Sequence, residues 1–213
     1  MDFSHCITLT FFFLKAALDC ANEVYYKKIP VLVHCSHGWD RTSQVCALAQ
    51  IFLDPYYRTF PGFAALVEKD FQAFGHPFHL RCAHGESISN ANGEQSCPIF
   101  MQFLDCAWQL VNLFPEYFEF DGKYILFIAR HVYSCRFGTF LCDNERDRLL
   151  RAKLHEKTYS LWDAEYLGMR KEIDESKQVP LLPSLADILQ GVNIWDDYFN
   201  LHRSFNPNSY GMQ

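Results

Sequence analysis

The sequence has no Cys-x-x-Cys pair among its 9 cysteines, an odd number. It therefore offers neither a zinc-ribbon or redox spacing nor an even disulfide framework. A reducing compartment is expected, with most thiols serving as small buried apolar groups. Positive charge is in short supply: 19 Lys and Arg against 25 Asp and Glu leave a net charge of −6. That argues against nucleic acid as a partner and against a polybasic membrane anchor. Long apolar runs are missing as well. The run at residues 7–14 has no basic leader, and Lys15 breaks it before it reaches spanning length, so a packed helix is expected there rather than a signal-peptide core or a membrane span. Phe11, Leu14, Leu18, Ala21 and Val24 instead recur there at helical spacing, predicting a packed helix. Repeats and low-complexity tracts are absent. What the chain does have is apolar bulk, 49% hydrophobic and 16% aromatic residues in 213, enough to bury a sizeable core.

One stretch carries chemistry. Residues 34–42 read His-Cys-Ser-His-Gly-Trp-Asp-Arg-Thr, directly after the apolar run at 29–33, so that five residues separate Cys35 from Arg41. Val31 and Val33 suit a buried strand, and Val45, Leu48, Ala49 and Phe52 mark a helix opening near Thr42. A loop between a strand and a helix N-terminus aims free N–H groups and the positive end of a helix dipole at whatever it encloses. Such a setting lowers a cysteine pKa from about 8.5 into a range of roughly 3.5–7.5. Gly38 allows positive φ or close approach, Arg41 offers a two-pronged fork to phosphate oxygens, and Thr42 has a hydroxyl to give the sulfur. The chain contains its own control. Cys142 and Arg148 share the spacing, but three acids and no glycine lie between them, so that segment would repel a phosphate.

The loop resembles that of the cysteine-dependent phosphatases, and residues 38–44 (Gly-Trp-Asp-Arg-Thr-Ser-Gln) resemble the myotubularins in particular. The similarity continues through Leu53-Asp54-Pro55-Tyr56-Tyr57-Arg58-Thr59, Phe74-Gly75-His76, Gln102-Phe103-Leu104-Asp105-Cys106 and the stretch 133–142, covering roughly residues 12–165. It implies an α/β fold: a cysteine-dependent, protein-tyrosine-phosphatase-like phosphatase, partial, with few strands and mostly helices after the loop. Residues 1–165 would be the partial phosphatase domain and 166–213 a helical extension of it. Because the family carries further strands before the loop and only 34 residues precede Cys35, either the chain is a piece of a longer protein or its sheet is completed by another chain.

The activity implied is hydrolysis of the 3-phosphate of phosphatidylinositol 3-phosphate, and of the 3,5-bisphosphate, through a cysteinyl-phosphate. Location would be cytoplasmic and peripheral at endosomal membranes, with the headgroup as ligand, no cofactor or metal, and homo- or hetero-oligomers with relatives. Carried over by position, Cys35 is the nucleophile, Arg41 the phosphate clamp and Asp40 the general acid. Ser36, His37, Gly38, Trp39, Thr42 and Arg81 are the substrate-binding set. The residues alone leave Asp40 open to a helix-start role, and Trp39 to flanking the inositol ring or packing on the domain. Two departures stand out. Active relatives carry aspartate where His37 stands, implying a slower or pH-shifted enzyme, and Pro77 replaces the first of two arginines of which Arg81 matches the second. A non-catalytic scaffold binding an active relative is the alternative. A protein-tyrosine phosphatase ranks third, because Gly-Trp-Asp-Arg is the lipid-phosphatase form.

Elsewhere Pro61 suits the first turn of a helix, residues 84–95 read as a polar loop, and Phe100 to Phe114 form a regular apolar stripe. Asp121 is placed to cap the next helix. Residues 143–157 form a charged, solvated face, and 179–183 a connector. His34 is assigned a structural role, and His76, His79 and His84 fit no zinc spacing and are expected in the core or at the surface.

Overall fold

Phenylalanine decides where the core lies. Phe63, Phe71, Phe78, Phe100, Phe103, Phe120 and Phe140 are all buried, and Phe100 alone sits 5.0 Å from Phe71, 5.0 Å from Phe78 and 5.3 Å from Phe140, centroid to centroid. Tilted and edge-to-face pairs of this kind add to what burial alone contributes. The structure is a computed structural model describing residues 3–84, 96–164, 166 and 170–199, with side chains from residue 7. The expected polar loop at 84–95 lies outside the described residues apart from His84.

The elements around this core are helical. They are α1 (Phe3–Lys27), α2 (Arg41–Leu53), α3 (Phe60–Val67), α4 (Phe78–Cys82), α5 (Ile99–Leu113), α6 (Gly122–Val132), α7 (Leu154–Lys157), α8 (Leu185–Gly191) and α9 (Asp196–Phe199). A π-helical turn, Glu68–Ala73, extends α3. The stripe read from the sequence places α1 against α2 and α5: Leu14, Leu18 and Ala21 are buried, while Val24 is exposed. The α5 stripe is the inner face of that helix, with Phe103, Leu104 and Leu110 fully buried. Local signals set the starts. The Thr59 hydroxyl accepts from the Gly62 N–H with Pro61 in the first turn of α3, and Asp121 accepts from the N–H groups of Lys123 and Tyr124 at α6. Ser184 and Asp187 cap α8 reciprocally.

The strand expected at Val31–Val33 is not formed. Residues 28–35 are without regular structure, and no strand occurs among the described residues. A strand exists only as part of a ladder, and the described chain supplies no second strand to pair with. Ile29, Val31 and Leu32 are accordingly exposed, Leu32 at 89%. The α/β expectation is thus corrected for the described residues, which are helical; the mostly helical course after the loop is as expected. No helix among them is long and apolar enough to cross a membrane.

Two buried polar residues fix α2, and with it the loop that feeds it. Gln44 donates its amide to the Ile99 carbonyl at 2.8 Å and to Gln102 Oε1 at 3.1 Å, tying the first turn of α2 to the start of α5. Arg58, fully buried, donates to the carbonyls of Ile51 and Phe52 at the other end of α2 and to those of Lys177 and Val179. The expected connector at 179–183 is thereby clamped, with Leu181 N–H also donating to the Phe52 carbonyl.

Candidate active site

Between α1 and α2 the chain turns sharply enough to bring several donors onto one sulfur. Gly38 has φ +88°, a left-handed conformation that glycine adopts without strain, and this turns its N–H back onto Cys35 Sγ at 3.3 Å. Burial of the thiol pushes its pKa up. The Thr42 hydroxyl and the backbone N–H groups of Gly38, Thr42 and His37 outweigh that and pull it down to about 6. Thr42 Oγ1 is buried and has no hydrogen-bond partner of good geometry among the described residues, so it is free to turn its proton to the sulfur beside it. Thr42 stands in the first turn of α2, so its N–H is one of those a helix leaves unpaired. At neutral pH Cys35 is therefore mostly thiolate, the reactive form.

The other Cys-x5-Arg segment behaves in the opposite way. Cys142 has its pKa raised, first by burial and then by Asp147 and Asp143, and Arg148 lies 3.8 Å from Glu68. Spacing alone does not make a phosphate loop; glycine and a helix start in place of acids do.

Asp40 is the last loop residue before α2, yet its side chain makes no capping bond. The carboxylate turns instead toward α4. Arg81 Nη2 reaches Oδ2 at 2.7 Å and Nε reaches Oδ1 at 3.3 Å, while His76 Nδ1 stands 3.0 Å from Oδ1. Burial of the carboxyl pushes upward, but these two partners, by hydrogen bonds and charge, hold it down at about 2. Asp40 thus stands at the start of α2, as the helix-start reading has it, but without a side-chain capping bond. His37 stacks on Trp39, ring centroids 5.1 Å apart and planes 10° from parallel. Trp39 is half-buried with its indole N–H enclosed and without a partner. Arg41 is exposed at the start of α2 and holds no ion pair among the described residues; Ser36 and His34 are exposed too.

The fold thus brings together Cys35, Gly38 and Thr42 on the sulfur, His37 and Trp39 in a stack, and Asp40 with Arg81. The residue that sequence reasoning passed over is His76, assigned to core or surface. It is fully buried and directed at the loop. The neighbouring His84 contacts the Val132 carbonyl through Nε2 at 2.7 Å.

The sequence profile of the myotubularin-like phosphatase domain matches residues 6–149. This chain belongs to the myotubularin-like phosphatase family. The chain is 48% identical over 151 residues to phosphatidylinositol-3,5-bisphosphate 3-phosphatase MTMR6 of Rattus norvegicus, covering 70% of this chain and 22% of that protein. Against phosphatidylinositol-3,5-bisphosphate 3-phosphatase MTMR2 of Mus musculus it is 49% identical over 149 residues, 70% of this chain and 23% of the relative. Against myotubularin of Xenopus tropicalis the figures are 48% over 151 residues, 70% and 24%. The matched region thus spans less than a quarter of each of these relatives. The myotubularin-like region of this chain includes the loop, α2 to α6 and the aromatic core.

Proposed function

We propose that the loop hydrolyses the 3-phosphate of phosphatidylinositol 3-phosphate, and of the 3,5-bisphosphate, at the cytoplasmic face of endosomal membranes. The observation that carries this is the Cys35 thiol, drawn to about 6 by donors from Thr42, Gly38 and His37. The relatives' names, as bisphosphate 3-phosphatases, supply the substrate class. The Cys35 thiolate attacks phosphorus; an S–P bond forms as the bond from phosphorus to the inositol oxygen breaks. Arg41 meets the phosphoryl oxygens, helped by free N–H groups at the α2 start. The departing oxygen takes a proton from Asp40. Held by His76 and Arg81, Asp40 is a carboxylate, so it takes up that proton from solvent as substrate binds. An entering phosphate dianion drives this by raising the pKa of a neighbouring carboxyl and competing for Arg81. Once ionised again, Asp40 takes a proton from the water that forms the new P–O bond and releases the thiolate. Trp39 and His37 border the headgroup, and Arg81 meets a 5-phosphate where one is present. Of the extension read at residues 166–213, the described part belongs with the same domain, α8 packing on α1 and α5.

A second reading, a non-catalytic scaffold for an active relative, is favoured by the exposed apolar stretch at Ile29, Val31 and Leu32, which a neighbouring strand would cover, and by His37. Phosphate release from short-chain phosphatidylinositol 3-phosphate and 3,5-bisphosphate, compared with the Cys35→Ser variant, separates the two. Release that vanishes in the variant supports the enzyme. Equal background from both overturns the enzyme reading for this chain, whether the site is inactive or the sheet incomplete.

A further inference from the structure

We propose that His76 is a positioning residue for this chemistry, sharing its Nδ1–H between the Trp39 carbonyl and the Asp40 carboxylate and so setting where the proton-transfer group stands. The proposal rests on the reading of Asp40 as that group. Nδ1 lies 3.0 Å from Trp39 O and 3.0 Å from Asp40 Oδ1. A carbonyl only accepts, so Nδ1 carries the proton. The second ring nitrogen, Nε2, is buried with no partner, so all the polar contacts of the ring among the described residues go to the loop.

The ring cannot swing away. Its side chain is 0% exposed, Phe71 and Phe78 meet it edge-on at 5.5 and 4.8 Å, and its backbone N–H is bonded to the Phe71 carbonyl at 2.8 Å. Gly75, at φ +81°, provides the turn that aims it. Asp40 makes no capping bond on its own helix, and the side chains that meet its carboxylate, Arg81 and His76, both come from outside the loop. Arg81 supplies charge to both oxygens; His76 ties one of those oxygens and the preceding carbonyl to a single rigid point. A residue that fixes a catalytic carboxylate in this way acts on kcat rather than on binding, since small displacements of a reacting group cost up to about 100-fold.

The side chains of asparagine and glutamine provide the test. An asparagine amide nitrogen falls near the Nδ1 position; a glutamine amide nitrogen falls near Nε2. In the 213-residue chain, His76→Phe should lower kcat on short-chain phosphatidylinositol 3-phosphate by about 10- to 100-fold with KM changed less than about threefold. His76→Asn should recover most of the loss and His76→Gln should not. Titration of the Asp40 carboxyl, followed by carbon NMR, gives a readout free of turnover: Asp40 should titrate higher in His76→Phe and His76→Gln and return in His76→Asn. If His76→Phe does not fold, the Asn and Gln variants decide between them. Equal Asp40 titration in all variants, or no difference between Asn and Gln, would overturn the proposal. A wild-type chain that releases no phosphate defeats the proposed function, while the Asp40 titration still decides the role of His76.

Discussion

Arg81 holds Asp40 by both carboxylate oxygens, at 2.7 Å and 3.3 Å, across 41 residues of sequence. The pair joins α4 to the loop and fixes the charge state of the loop acid. Because the folded pKa of Asp40 is depressed, to about 2, its stabilisation is fully present above the unfolded value of about 3.9 and is lost as pH falls through about 2. Allowing for solvent screening, the contribution is on the order of 1–2 kcal/mol. Arg81→Met should therefore lower the melting temperature at pH 7, and its deficit relative to wild type should shrink below pH 4. A deficit that stays constant from pH 7 to pH 2 would show that Arg81 stabilises by packing instead.

The thiolate offers a second pH-dependent handle. Alkylation of the Cys35 peptide by iodoacetamide, read by mass spectrometry, should show a rate midpoint near pH 6, following the lowered thiol. Burial opposes that lowering, and the Thr42 hydroxyl is the strongest group in its favour. Thr42→Val should accordingly move the midpoint up toward the ordinary cysteine range of about 8.5, while Thr42→Ser should keep it. An unmoved midpoint in Thr42→Val would assign the effect to the backbone N–H groups alone.

His37 stacks on Trp39 at 5.1 Å, and its backbone N–H is among the donors that favour the thiolate. Replacing the ring by a carboxylate adds a like charge beside the sulfur, which disfavours the charged thiol. His37→Asp is expected to raise the alkylation midpoint of Cys35 and to change both the rate and the pH profile of phosphate release. If neither differs from wild type, residue 37 has no bearing on the loop chemistry.

How much of this could be read from the chain depends on how local each signal is. The α5 stripe and the Asp121 cap are each written in a single short stretch of sequence, fifteen residues at the longest, and both are found where the spacing puts them. The Cys35 loop is equally local, its glycine and helix start being contiguous with the cysteine. The strand expected at 31–33 is not formed, because β-branched residues state only a willingness to pair, and pairing requires a second strand. His76 and Arg58 were missed for a different reason. Each acts on residues far off in sequence or hidden in the core, His76 on Trp39 and Asp40, Arg58 on carbonyls 119 and 121 residues away. No periodicity encodes such a contact. Gly-His-Pro and Tyr-Tyr-Arg-Thr therefore look like ordinary loop sequence.

Arg58 is the most consequential of these for stability. Burial lowers its pKa to about 10, still well above neutrality, so it remains a buried cation whose two terminal nitrogens meet carbonyl dipoles at 2.6–3.5 Å, while Nε is enclosed without a partner among the described residues. Arg58→Met keeps much of the volume and withdraws the guanidinium from the Ile51, Lys177 and Val179 carbonyls, while the Phe52 carbonyl keeps the Leu181 N–H. A loss of about 2–4 kcal/mol in urea unfolding is expected. Arg58→Lys should recover only part of it, since one ammonium cannot reach both the α2 end and residues 177–179. A Met variant within about 0.5 kcal/mol of wild type would mean that water replaces the guanidinium.

Gly62 and Gly38 are constrained for opposite reasons, and comparing them tests both. A Cβ at Gly62 would lie 1.7 Å from the Tyr56 carbonyl oxygen and 2.5 Å from its carbon, both backbone atoms that cannot turn aside. That carbonyl is already held by the Thr59 N–H at 3.0 Å and the Thr59 hydroxyl at 2.8 Å, so the turn leading into α3 has no slack. Gly62→Ala should destabilise the chain by about 3 kcal/mol or more, with loss of soluble protein as its visible sign. At Gly38 a Cβ meets nothing within 4 Å, and the obstacle is φ +88° alone. Gly38→Ala should then cost only about 1–2 kcal/mol. Its larger effect should fall on Cys35, because relaxing φ withdraws the N–H now 3.3 Å from the sulfur and raises the alkylation midpoint. A folded Gly62→Ala, or a Gly38→Ala that alkylates like wild type, would mean that the backbone gives way where these distances and angles require it to hold.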